Sequence, residues 1–326
     1  MSVVAGCSTL DGVFLAADCR VTLERSGHPD IHIDNAQKLF SLTESTSLAY
    51  VGDVMAASHL FRALERQIGR HRTDPVSLSL WLPRLFRYEF RRYSSRTASP
   101  GIAFMLAQVL KGRPNRVRRE DVLKLFKHIR SEGSPLNRNW YPAWIMQVLA
   151  APSEQKFVWF SGTSRSVLYS IRSPNFNVEP HDTLEFAAIG SGEISKTYIA
   201  QKYDMIVAGD GGTELFWLRE AIRDCVREKD IRTVGGMYPA LKVSAEGTAY
   251  LGEAVHMLDD GTSIELACEP GQWVQRNLTT GKKMALIPPW EVVGNSTESR
   301  TFDDVELALK RMNSSGPSGN EKVQSN

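Results

Sequence analysis

The chain has 326 residues, 42% of them hydrophobic and 23% charged, with a formal net charge of +2. This is ordinary globular composition, long enough for one large core or two modest ones, and it carries no whole-chain bias toward nucleic acid or an anionic membrane surface. The four cysteines (Cys7, Cys19, Cys225, Cys268) are widely spaced and form no C-x-x-C pair, which argues against a zinc ribbon or a disulfide framework.

Taken in chain order, residues 2–8 and 13–17 read as two strands of a β-hairpin turned by Leu10-Asp11-Gly12. Cys7 and Cys19 fall in these apolar surroundings and read as small core residues. A polar loop follows to about residue 33. Residues 36–42 and 46–51 read as a second strand pair, closed by Gly52. From Val54 the apolar residues Met55, Leu60, Ala63, Leu64 and Ile68 recur at helical spacing, and a second helix is predicted over about 75–92. Residues 99–139 are strongly basic and read as a solvated helical insertion, with an amphipathic helix over 122–129. Without aromatic interleaving, that charge disfavours a nucleic-acid patch.

Strand character returns at 144–151, 156–160, 166–171 and 184–190. Two helices over about 193–204 and 212–229 flank the loop Gly209-Asp210-Gly211-Gly212. Strands resume at 238–243 and 249–255. This order predicts an α+β chain with antiparallel sheets and helices outside. The predicted organisation is one domain over 2–257, a C-terminal extension over 258–311, and a disordered Ser/Gly/Asn-rich tail over 312–326. No basic-then-apolar leader and no membrane-length apolar run is present, which predicts a cytoplasmic protein with no membrane association. The seven histidines show no H-E-x-x-H or paired ligand spacing, so neither metal nor cofactor is expected.

One chemical possibility begins at the N-terminus. Removal of Met1 leaves Ser2 with a hydroxyl and a free α-amine, and an α-amine with a pKa of about 8 is a usable base near neutrality. Nucleophile and base then share one residue. The segment Gly12-Val13-Phe14-Leu15-Ala16-Ala17-Asp18-Cys19-Arg20 resembles the second strand of proteasome β subunits and of the HslV peptidase. Asp18 lies sixteen residues after Ser2 (18 − 2), with Arg20 two further on, as in that family. In Asn35-Ala36-Gln37-Lys38-Leu39-Phe40, Lys38 is the match to the family's lysine. The residues added to the family's spacing fit in the polar loop before it, where insertion is cheap. Leu48-Ala49-Tyr50-Val51-Gly52-Asp53-Val54 resembles the family's strand-Gly-helix junction, and Phe186-Ala187-Ala188-Ile189-Gly190-Ser191-Gly192 its Gly-Ser-Gly turn. Asp230 and Thr233, in the run 229–236, match more weakly.

The resemblance implies a four-layer α/β/β/α sandwich of the N-terminal-nucleophile hydrolase type. It implies Ser2 as nucleophile, and Lys38 paired with Asp18 beside the hydroxyl. It further implies Gly52 N–H as oxyanion donor, and Ser191, Asp230 and Thr233 supporting the amine. Arg20, Tyr50 and Val54 fall on the substrate side, with Tyr50 and Val54 flanking an apolar specificity pocket. The expected substrate is a peptide or protein, the expected assembly a homo-oligomeric ring, and an ATPase unfoldase is a further candidate partner. A non-catalytic scaffold subunit and a small-molecule amidase of the same fold stand as alternatives.

Overall fold

A computed structural model describes residues 2–23, 31–94, 101–130, 143–160, 164–208, 213–229, 231, 234–250, 254–257, 261–269 and 272–292. The first half holds β1 (Val3–Ser8), β2 (Val13–Ala17), β3 (Val21–Leu23), β4 (Ile31–Ile33), β5 (Leu39–Thr43), β6 (Thr46–Gly52), α1 (Val54–Ile68), α2 (Pro75–Ser94), β7 (Ile102–Lys111), β8 (Asn115–Arg118), α3 (Arg119–Arg130) and α4 (Ala143–Ala150). The second half continues with β9 (Phe157–Phe160), β10 (Ser164–Arg172), β11 (Asn177–His181), β12 (Phe186–Gly190), α5 (Gly192–Ala208), α6 (Thr213–Glu228), β13 (Ala240–Ser244), β14 (Gly247–Tyr250), β15 (Ala254–Met257), β16 (Ser263–Glu269), β17 (Gln272–Asn277), β18 (Lys283–Ala285) and α7 (Pro289–Val292). The mixture of helices and antiparallel sheets is that of an α+β fold. No helix among the described residues is long and apolar enough to cross a membrane.

One five-stranded sheet runs β12-β1-β2-β13-β14, and a second runs β11-β10-β7-β6-β5. Their facing sides share one apolar cluster: Val4, Leu15 and Ala17 from the first meet Ala49, Val51, Met105, Ala107 and Leu168 from the second. The other side of the first sheet (Val3, Ala5, Phe14, Ala16) packs on Ile199, Leu218, Ala221 and Ile222 of α5 and α6. The other side of the second sheet (Leu48, Tyr50, Phe104, Leu106) packs on Leu60, Phe61 and Leu64 of α1 and Phe86 and Phe90 of α2. All six residues of β1 are buried, as its continuous apolar run requires. In α1 the three- and four-residue spacing of its buried apolar residues turns one face to the sheet. Asp53 caps its start, accepting a hydrogen bond from Ala56 N at 2.7 Å.

Three expectations change. The run 144–151 was expected as a strand but forms α4. Ile145 and Val148, three apart, are its buried positions while Met146 is exposed, and a short apolar run does not by itself separate strand from helix. The basic insertion expected over 99–139 opens with β7, which lies between β6 and β10 in the second sheet. Its residues are buried on both sides, so β7 lacks the alternation that marks an exposed strand. The boundary placed at 257 falls beside a β15–β16 pairing within a third sheet, β15-β16-β17-β18. Ile264, Leu266, Trp273 and Leu286 from that region join the core shared by the first two sheets. The tail over 312–326 lies outside the described residues. Cys7 and Cys19 are fully buried, and burial raises both thiol pKa values.

Candidate active site

Ser2 stands one residue before β1, which lies between β2 and β12. Val3 pairs with Gly190, and Val4 with Ala17. Ser2 is 7% exposed. Its carbonyl accepts a hydrogen bond from Ser191 N at 2.8 Å. This close approach depends on Gly190, whose φ is +75°. A Cβ there would lie 2.1 Å from the Ser2 carbonyl oxygen, so any side chain would push the strand end away. The Ser191 hydroxyl is buried and has no hydrogen-bond partner among the described residues.

Asp18 follows the last residue of β2 and folds back onto the start of β1. Its backbone N–H donates to Val3 O at 3.2 Å, and its Oδ1 accepts from Val3 N at 2.9 Å. Its Oδ2 accepts from Arg20 N at 3.2 Å and from Lys38 Nζ at 2.9 Å. Lys38 arrives from the other sheet. It immediately precedes β5 and is tied to β6 by a hydrogen bond from Tyr50 N to its carbonyl at 3.2 Å. The side chain crosses to Ser2, where Nζ donates to Oγ at 2.9 Å, and a third bond runs to the Arg20 carbonyl.

Three acceptors around one Nζ match the three N–H donors of an ammonium. Lys38 is 1% exposed and Asp18 fully buried. A lone charge in that position is costly, and the pairing with a complete hydrogen-bond set compensates for the lost hydration. The result is a fixed positive charge in hydrogen-bond contact with Ser2 Oγ. It lowers the energy of developing negative charge on that oxygen. Because each N–H already has an acceptor, the Ser2 hydroxyl proton needs another base.

Gly52 ends β6 at the mouth of α1 and is exposed. Its φ is +105°, and a Cβ there would lie 2.1 Å from Gly101 O, so the turn from strand to helix requires glycine. Arg20 is 6% exposed. Its guanidinium binds Asp34 through Nε–Oδ1 at 2.5 Å and Nη2–Oδ2 at 2.9 Å, and a Cβ on Gly235 would meet its Cζ at 2.7 Å. Arg20 therefore braces the loops around 34 and 235 against the Lys38 anchor. Tyr50 is 1% exposed, and its ring packs edge-on against Phe61 at 5.7 Å. Burial raises its hydroxyl pKa, and the charge of Asp18 adds to that. Val54 lies in a separate apolar cluster with Val21, Ile33, Ala36, Ile287 and Val292. Tyr50 and Val54 thus stand in different buried clusters.

Asp230 and Thr233 lie outside the described residues. The following segment reaches the site: Cys19 N donates to Gly235 O at 3.2 Å and to Met237 O at 2.9 Å. Asp34 was missed from sequence, since a single acid in a polar loop carries no signal. The contact of residues 286–292 with residues 35–37 was likewise missed, because it joins parts of the chain some 250 residues apart (287 − 36 = 251).

No protein-family profile matches the chain, and no curated protein matches it. Among solved structures it is similar to the Anbu (Gly-1) mutant from Hyphomicrobium sp. strain MC1, at 10% identity over 100% of both chains with a TM-score of 0.46. It is similar also to Anbu, an ancestral beta-subunit, from Yersinia bercovieri, at 12% identity over 76% of this chain and 86% of that one, again with a TM-score of 0.46. Likeness at this level carries no argument about chemistry, which rests on the geometry of Ser2, Asp18 and Lys38.

Proposed function

We propose that the chain is an N-terminal-nucleophile amide hydrolase that cleaves peptide bonds through Ser2, on a proteasome-like four-layer α/β/β/α framework. The observation that carries this is the 2.9 Å contact between Ser2 Oγ and the Nζ of a lysine buried with its aspartate. Neither a surface role nor simple packing calls for a buried ion pair ending on a serine hydroxyl. A non-catalytic scaffold has no use for it.

Loss of Met1 frees the Ser2 α-amine, the base that Lys38 does not supply. As Oγ forms a bond to the substrate carbonyl carbon, its proton passes to that amine and the carbonyl oxygen becomes an oxyanion. Lys38 stabilises the charge on Oγ, and Gly52 N–H is assigned to the oxyanion. Collapse restores the carbonyl and breaks the C–N bond, and the leaving amine takes the proton from the Ser2 ammonium. Water then attacks the ester, giving its proton to the same amine, and releases the acid with Ser2 regenerated. The buried hydroxyl of Ser191 is assigned to orient the amine, with Asp230 and Thr233 in support. Arg20 acts at one remove, by fixing the carbonyl that holds Lys38. A homo-oligomeric ring, with or without an ATPase partner, belongs to the same proposal.

Intact-mass measurement and labelling with a β-lactone or epoxyketone probe test the chemistry. The expected result is loss of Met1 and one adduct on Ser2, absent from Ser2→Ala. Protein shown to lack Met1 and still unlabelled would overturn it. Sedimentation velocity tests the assembly, and a monomer at all concentrations would remove the ring.

A further inference from the structure

Asp182 gathers three arginines at the end of β1 remote from Ser2. Arg165 Nη2 donates to its Oδ1 at 3.1 Å, and Arg116 and Arg118 bring Nη2 to 3.6 and 3.8 Å from its Oδ2. Backbone pairing fixes the place: Ser8 N donates to Glu185 O at 3.0 Å, and Leu184 N donates to Ser8 O at 2.7 Å. Ser8 closes β1 while Ser2 precedes it, and the six residues of the strand set its ends roughly 20 Å apart. One carboxylate cannot neutralise three guanidinium groups. Among the described residues no other acid is in ion-pair contact with them, and the carboxylate of Glu185 accepts instead from Asp182 N at 2.8 Å. The ion-paired group therefore carries an excess of two positive charges (3 − 1).

Aromatic rings join this charge. In the β8–β9 ribbon Arg116 lies opposite Trp159, and Arg118 opposite Phe157. Opposed residues share a face and side chains alternate along a strand, so these four stand on one face of the ribbon. The other face is its anchor. Val117 is buried in the core with α5 and α6, and Val158 and Phe160 pack on that core. Buried Asn115 accepts from Ser166 N at 3.1 Å and donates to Leu10 O at 3.0 Å. On the outer face Trp159 is 61% exposed. Arg116 Cζ stands 4.4 Å over the centre of the Phe157 ring, which supports the guanidinium plane from behind. These rings reach the basic segment from β9, 43 residues on from Arg116 (159 − 116).

We propose that this face binds single-stranded nucleic acid. Trp159 and the Arg116 plane backed by Phe157 stack bases, and Arg118 and Arg165 hold phosphates. An unpaired strand offers a base and a phosphate at every step, which suits rings and guanidiniums set side by side. A peptide would need acids and aromatics in matching order, and a duplex keeps its base faces stacked inside. The surface lies at the far end of β1 from Ser2 and stands independently of the hydrolase reading.

The test is fluorescence anisotropy of a labelled oligothymidylate of about twelve nucleotides with the full chain, the wild type beside Trp159→Ala and Arg118→Ala. With about three phosphates engaged, the expected slope of log affinity on log salt is about −2, roughly a twentyfold loss between about 50 and 200 mM salt. Trp159→Ala should weaken binding at least about fivefold and leave that slope unchanged. Arg118→Ala should flatten the slope by about 0.7. Both side chains are exposed, so both variants should keep the wild-type Tm. No binding at about 100 μM protein and low salt would overturn the proposal. Equal binding by the wild type and a folded Trp159→Ala would overturn the stacking that defines it. Polyglutamate of the same charge competing as well as the oligonucleotide would do so too, and would mark a surface for acidic peptides. None of these outcomes bears on Ser2.

Discussion

Replacing Lys38 by methionine keeps the length of the side chain and removes its charge. Asp18 then remains fully buried with two backbone N–H donors, from Val3 and Arg20, and no counter-charge. At the 2.9 Å separation seen here, the lost attraction is about 6 kcal/mol at an effective dielectric of about 20. Relaxation around Asp18 recovers part of it, and truncating one partner of a buried pair costs about 3–5 kcal/mol. For a chain of this size that corresponds to a fall in Tm of roughly 4–7 °C. Labelling of Ser2 should slow by about 10²–10³-fold, as on removal of one preorganised donor from a developing charge. The double variant Asp18→Asn/Lys38→Met, in which no charge is stranded, should regain most of the stability and none of the labelling. Urea denaturation of the wild type, both single variants and the double variant completes the cycle. A cost below about 1 kcal/mol for Lys38→Met is the signature of an exposed pair and would refute the buried-pair reasoning. A double variant as unstable as the sum of the two singles would refute it as well.

Two other outcomes are expected. Gly190→Ala places a Cβ where the Ser2 carbonyl now sits and holds a non-glycine residue at positive φ, a backbone cost of about 1–2 kcal/mol before any clash is relieved. It should lower Tm and abolish Ser2 labelling, and wild-type labelling in this variant would show that the β12 end does not position Ser2. His181, on β11, lies 2.8 Å from Ser170 Oγ, and burial lowers its pKa from the ordinary 6.5. Below that value the unfolded chain takes up a proton that the folded chain resists. Stability from this group is therefore full above pH 6.5 and is lost as the pH falls toward the folded value. His181→Gln should flatten the stability profile over that window in chemical denaturation run across pH, and an unchanged slope would assign the dependence to other groups.

Much of the local structure could be read from residue order. The hairpin of β1 and β2 follows from two apolar runs around Asp11-Gly12. α1 follows from three- and four-residue periodicity behind an Asp cap. Ser2, Asp18, Lys38 and Ser191 could be named only through the resemblance of the segments that carry them to the proteasome β-subunit motifs, since none of the four stands out alone. The structure gathers the other three around Ser2.

What the order of residues left open was the set of contacts between distant segments. Periodicity reports only which sides of an element are buried, so the doubly buried β7 lost its alternation and short apolar α4 resembled a strand. The value of Lys38 lay in three acceptors, on Ser2, Asp18 and Arg20, that meet only when the two sheets stack. Tyr50 and Val54 are four apart in sequence, yet the turn at Gly52 sends one into the aromatic cluster with Phe61 and the other into a separate apolar cluster with Val21 and Ile33. The pairing of Ile287 with Ala36 has no local signature at all, because the backbone groups that make it are the same in every residue. Sequence thus determined the elements and the chemical groups at their ends, through local propensity and burial pattern. Tertiary structure alone decided which groups touch Ser2 and which distant segment pairs with Ala36, because those contacts depend on how the sheets stack and where the C-terminal chain returns.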